Sequence, residues 1–155
     1  MTSREVSASQ RDVPNVKVIL STLWVFAMFN YLYADVVTLM NPEVLKQFMK
    51  GSIGSLRITE GFLLGAAILM ETAMAMVPLS RVLRHRANRQ LNIVIGALHT
   101  VAVLASMFVG TPALYSIFFA AVEVPCTSFI VWYAWRWKEQ GVSVKVRVPV
   151  EAINE

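Results

Sequence analysis

Four acidic side chains, Asp35, Glu60, Glu71 and Glu123, and one imidazole, His99, fall inside stretches that are otherwise almost wholly apolar. A charged residue near the centre of a bilayer costs about 2.5–3.5 kcal/mol on insertion scales, so such groups usually face a protein interior and usually act. Carboxyls kept from water favour the neutral form, and two that interact titrate apart, leaving one proton donor and one acceptor. Such a pair can run general acid–base chemistry on a lipophilic molecule arriving from the membrane. Glu71 and Glu123 are the expected acid/base pair. Asp35, Glu60 and His99 are expected to position water and substrate, with Tyr31, Asn30 and Asn92 as supporting hydrogen-bonders.

Depth and helical phase select these residues. At a rise of 1.5 Å per residue, Glu71, His99 and Glu123 fall within ~4 Å of the middle of their apolar windows. Asp35 and Glu60 lie roughly 9–14 Å toward one face, so the polar groups form a column closed near the middle. Glu60 and Glu71 are eleven residues apart and return to nearly one helical face. Asn92 shares a face with His99, and Ser116 and Thr127 share one with Glu123. Tyr31 and Asp35 are i,i+4 neighbours able to bond locally. Blander roles compete. His99 alone suits an interhelical hydrogen bond, Glu60 an ion pair with Arg57, and Asp35 a structural bond to Tyr31 or Asn30.

The elements that must hold them are four membrane-spanning helices. Hydrophobic residues make up 56% of the 155-residue chain and charged ones only 15%, against roughly 25% charged in a soluble domain. Windows 18–40, 58–80, 90–110 and 112–135 each meet the length needed to cross a bilayer, and only helices satisfy their own backbone there. The expected fold is therefore an all-α four-helix bundle over 18–137, with tails at 1–17 and 138–155. Of the fourteen Lys and Arg residues, only Lys46, Lys50 and Arg57 lie in loops on the side away from the termini. By the positive-inside rule both termini are cytoplasmic. Trp24, Trp132, Trp135 and Trp137 are expected at that same interface. A retained first helix is expected, not a cleaved signal peptide. The membrane is the endoplasmic reticulum in a eukaryote or the inner membrane in a bacterium.

Smaller signals complete the reading. Asn41-Pro42 and Gly51 bracket a short surface helix with Val44, Leu45, Phe48 and Met49 on one face. Gly61 with Gly65, and Gly96 with Thr100, let helices approach closely; they do not choose between contacts inside one subunit and a homo-oligomer. Pro125 removes the amide that would bond the Ala121 carbonyl. Cys126 reads as a small buried apolar side chain. The tail alternates Val with polar residues from Val142 to Val150, without a partner strand. No spacing matches a metal-ligand motif, and no cofactor is implied. The net charge of +4 resides in loops and ends flanking the spans, which argues against nucleic acid.

The stretches STLWVFAMFNYLYADVVTLMNP, LLGAAILMETAMAMVPLSRVLRHRANRQLNI and YSIFFAAVEVPCTSFIVWYAWRW resemble a largely uncharacterised family of small four-helix membrane proteins from bacteria and fungi, over about residues 20–137. The chain is also similar to the small membrane-bound epoxide hydrolases of fungal polyene polyketide biosynthesis, the aurovertin and citreoviridin type. That resemblance implies a cofactor-independent hydrolase or cyclase opening an epoxide of a secondary metabolite, and it assigns no residue its role. A terpenoid isomerase or cyclase would use the same acids. A proton-coupled carrier of a lipophilic molecule, or a structural membrane subunit, are the readings from other classes.

Overall fold

The computed structural model describes residues 15–54, 56–109 and 112–137. Most of both expected tails, including the Val-alternating segment, lies outside them. Helix α1 spans Val16–Met40, α2 Pro42–Met49, α3 Glu60–Val82, α4 His85–Ser106 and α5 Leu114–Arg136. The Asn15 carboxamide oxygen accepts from the Lys17 amide at 3.1 Å and starts α1. Asn41 ends α1 and at once caps α2, accepting from the Glu43 amide at 3.0 Å with Pro42 next in line. That is the expected short helix, and Gly51, at φ +72°, stops it. A left-handed backbone there favours a residue without Cβ.

Two features go beyond the expected outline. Strands β1 (Ser52–Ile53) and β2 (Leu56–Arg57) pair antiparallel between α2 and α3, too short for an alternating pattern to announce them. The arginine-rich segment 81–89, expected as a loop, is mostly helix: only Leu83 and Arg84 separate α3 from α4. Arginine is a good helix former. The Lys17 ammonium also satisfies carbonyls at the end of α3, donating to Leu83 O at 2.8 Å. The third span thereby moves from 90–110 to His85–Ser106.

Four of the helices, α1, α3, α4 and α5, are long and apolar enough to cross a membrane, and the chain is a multi-pass membrane protein. Lys17 ties the start of α1 to the end of α3, and Arg89 donates to Trp135 O at 3.1 Å, tying the start of α4 to the end of α5. Both described ends of the chain therefore lie at the end of the bundle that holds the α3–α4 turn. We call this the tail end, and the opposite end, with α2 and the hairpin, the loop end.

The core is small and unusually polar. Leu20, Trp24, Ala27 and Tyr31 of α1 meet Ala73 and Met76 of α3 and Cys126, Ile130 and Ala134 of α5. Ser21, Ser80, Asn88, Asn92, His99, Glu123 and Thr127 are buried beside them. Large apolar residues such as Phe26, Phe29, Leu64, Val101 and Phe118 point outward. Lipid tails are as apolar as leucine, so helices in a bilayer associate through small residues and hydrogen bonds instead. Trp24 shows the same logic. Expected at the interface, it is fully buried, because Asn92 accepts from its indole N–H at 2.8 Å.

α4 packs closely on α5, and Gly96 makes this possible. A Cβ there would stand 2.8 Å from Val131 Cγ2. Gly96→Leu should therefore push the two helices apart and destabilise the protein by at least about 1–3 kcal/mol, the usual range for overpacking. The measurement is the unfolding midpoint in mixed micelles; an unchanged midpoint would refute the close contact.

Candidate acid–base site

The buried residues stop at one layer. Tyr31 on α1, Ala73 on α3, His99 on α4 and Glu123 on α5 are the last buried positions toward the loop end on their helices. Beyond that layer the described part of each spanning helix contains no buried residue. Polar side chains thus form the floor of a loosely packed half-bundle.

The floor is built from three helices. Tyr31 and Glu123 are each only 5% exposed, and the Tyr31 hydroxyl and Glu123 Oε1 are sealed from solvent without a hydrogen-bond partner. A buried polar atom left unpaired costs about 1–3 kcal/mol, so two together in one layer call for a functional account. The His99 ring stacks on Tyr31, with centroids 5.4 Å apart and planes at 22°, and meets Trp24 edge-on at 5.6 Å.

The imidazole is fixed from behind. Thr72 Oγ1 lies 3.2 Å from His99 Nε2 and gives its own proton to the Leu69 carbonyl at 2.6 Å. Trp24 continues the support, because its N–H bonds Asn92, whose amide donates to Asn88 Oδ1 at 2.6 Å. Asn92 is therefore a positioning residue reaching His99 through Trp24. Thr127 donates to the Glu123 carbonyl at 2.9 Å and accepts from Thr100 of α4 at 2.7 Å, which anchors the turn that carries Glu123.

The expected set divides. Glu123, His99, Tyr31 and Asn92 are buried, whereas Asp35, one turn beyond Tyr31 on α1, is exposed. Glu71 is a correction, as is Glu60. Both are exposed, so the Glu71–Glu123 pair does not form. Their shared face exists, but it is the outer one. Ala73, Met76 and Ser80 are what α3 buries, and Ser21 Oγ bonds the Val77 carbonyl at 2.8 Å to hold that side against α1. Two residues from Ala73 is about 200° around a helix, which turns Glu71 away. Asn30 is a further correction: its amide donates to Phe26 O at 3.1 Å on its own helix. The Tyr31–Asp35 bond is not made, since the Tyr31 hydroxyl has no partner.

Thr127 falls on the face it was expected to share with Glu123, whereas Thr72, Trp24 and Asn88 are additions to the expected site. Trp24 and Thr127 sit one to two turns from Tyr31 and Glu123 on the buried stripes, and that periodicity was the available signal. Among the described residues no cluster of three or more His, Cys, Asp or Glu could hold a metal ion.

One seam of the bundle is weak. α4 lies against α5, and α1 against α3 and α5, whereas the consecutive helices α3 and α4 touch much less than these three pairs. Gly65 lies seven residues before Thr72, nearly on the same helical face, and Thr72 looks at α4. A Cβ on Gly65 would meet nothing within 4 Å, and one on Gly61 only the Thr59 hydroxyl at 4.0 Å. Glycines that would admit a close helix here face open space. The α3–α4 seam is therefore open above His99.

Glu71 carries a prediction of its own. Glu71→Leu removes a carboxyl from the outer face at membrane depth, where it costs about 2.5–3.5 kcal/mol. Its unfolding midpoint in bilayer nanodiscs should be no lower than wild type; a clear fall would place Glu71 in a structural contact. No curated protein and no solved structure matches the chain. The sequence model of a family of unknown function, DUF6326, matches residues 12–144, so the chain belongs to that family.

Proposed function

We propose that this member of the DUF6326 family is a cofactor-independent membrane enzyme that opens or cyclises an epoxide on a lipophilic secondary metabolite. The observation carrying this reading is the pair of unpartnered buried groups, Glu123 Oε1 and the hydroxyl of Tyr31, the ring of which stacks on His99. Glu123, the buried carboxyl, gives its proton to the epoxide oxygen as the C–O bond breaks. Water, or a hydroxyl of the substrate itself, attacks the carbon and loses its proton to Asp35, the exposed carboxyl. The product is a diol or a cyclic ether, and proton exchange between Asp35 and Glu123 restores the start. His99 and Tyr31 hold the reacting oxygen atoms. A substrate dissolved in the bilayer would arrive through the α3–α4 seam.

The excess of basic residues at the tail end supports a cytoplasmic location for both termini. A proton-coupled carrier is the second reading. It is favoured by Glu123, the one buried glutamate among the described residues, below an open half-bundle, the arrangement needed for a group that exchanges protons with cargo.

Purified protein in micelles, given a polyene epoxide, should yield diol or cyclic ether, and Asp35→Asn should lose most of that yield. No product from any lipophilic epoxide, together with uptake into liposomes driven by a pH gradient, would replace the enzyme with the carrier.

A further inference from the structure

A second polar region lies at the tail end, remote from the acid–base layer. It is a cleft of about 900 Å³ between the start of α4 and the end of α5, lined by His85, Arg86, Arg89, Trp135, Arg136 and Trp137, with no acidic side chain among the described residues of its lining. The first turn of α4 contains no acidic residue and no side-chain cap. The positive end of a helix normally attracts an anion; here it meets more cations. Their donors are largely unspent. Both ring nitrogens of His85 and Nε of Arg89 are buried without a partner, and Arg89 spends one guanidinium nitrogen on Trp135 O.

The aromatic walls set the level. His85 meets Trp137 edge-on with centroids 4.5 Å apart, and the Arg136 guanidinium sits 5.2 Å above Trp132. Trp132 and Trp135 are exposed on the outside of α5, as tryptophans at the headgroup level of a bilayer are. Guanidinium forks match the oxygens of a phosphoryl group, and basic pockets between membrane helices suit lipid head groups.

We propose that this cleft binds a phosphoryl group, held by Arg86, Arg89 and Arg136 with His85 at its back. The group is the phosphate of an anionic lipid or a free phosphate; the chemistry of recognition is the same. The inference stands apart from the acid–base reading, because no residue is shared and the test needs no turnover.

The test uses the full chain in vesicles of phosphatidylcholine containing phosphatidylglycerol, with native mass spectrometry of what stays bound. Wild type should retain phosphatidylglycerol about tenfold over phosphatidylcholine, a difference of about 1.4 kcal/mol. The variant Arg86→Gln/Arg89→Gln/Arg136→Gln should lose that preference. Arg4→Gln/Arg11→Gln/Arg147→Gln, with equal loss of charge, should keep it. Inorganic phosphate that competes at constant ionic strength identifies free phosphate as the ligand; failure to compete identifies the lipid. Should the triple variant not fold, Arg86→Gln alone, on an exposed side chain, should still weaken the preference. Equal retention of the two lipids overturns the proposal, as does an equal loss in the control variant, which would mean diffuse surface charge.

Discussion

Replacing Glu123 by Gln is expected to lower turnover of a lipophilic epoxide by about 10²–10⁴-fold, the usual contribution of a positioned proton donor. The amide has the shape of the carboxyl and sits in the same 5%-exposed position, so the fold should persist; what is lost is a proton that can be given away. Glu71→Gln is the companion variant. Glu71 lies on the outer side of α3, across from Ala73, Met76 and Ser80, and its replacement should leave turnover unchanged. Single-turnover kinetics on both variants, with circular dichroism to verify helicity, decide the matter. Equal loss in both would mean that the two glutamates share a site, as they would if the outer face of α3 met a second subunit. Full activity in Glu123→Gln would remove the proton donor from the mechanism.

The largest effect on stability should come from Asn92→Leu. Asn92 accepts from the Trp24 indole and donates to Asn88 Oδ1 and to the Asn88 carbonyl at 2.8 Å. A leucine fills the space but strands the Trp24 N–H and the Asn88 oxygen in a buried layer. Each unsatisfied group costs about 1–3 kcal/mol in soluble proteins. Interhelical bonds in membranes average about 0.6 kcal/mol, because the unfolded chain in lipid also finds partners. A loss of about 2–3 kcal/mol is expected, lying between those bounds for a bonded cluster, read from the midpoint of a detergent-denaturation titration. Adding Trp24→Phe should return part of it, since both partners of one bond are then apolar. An unaltered midpoint for Asn92→Leu would deny the network any stabilising role.

These expectations show where the sequence spoke clearly. Hydropathy alone located four spans, and the Asn41-Pro42 cap and Gly51 stop located α2, because those signals are local. Phase placed Glu60 and Glu71 on one face correctly. A helical wheel fixes only relative directions, however, and the inward face of α3 carries Ala73 and Ser80, whose smallness lets α1 approach, with Met76 buried between them. Looking for charge pointed to the wrong side; looking for small residues would have pointed to the right one. Trp24 misled for a related reason. A tryptophan near a span end suits the interface unless a buried acceptor awaits it, and Asn92 stands sixty-eight positions away in the chain. Tyr31 against His99 is likewise a product of tertiary packing.

The glycines facing empty space on α3 imply a division of labour along the membrane normal. Every described buried contact lies from the Tyr31–His99–Glu123 layer toward the tail end, so that part behaves as a fixed anvil. The other half of α3 leans on no neighbour at Gly65, and under the proposed function it would yield to substrates of differing length or branching. On that reading, substitutions near Gly61 and Gly65 would change which substrate fits while the Tyr31–His99–Glu123 layer beneath stayed as it is.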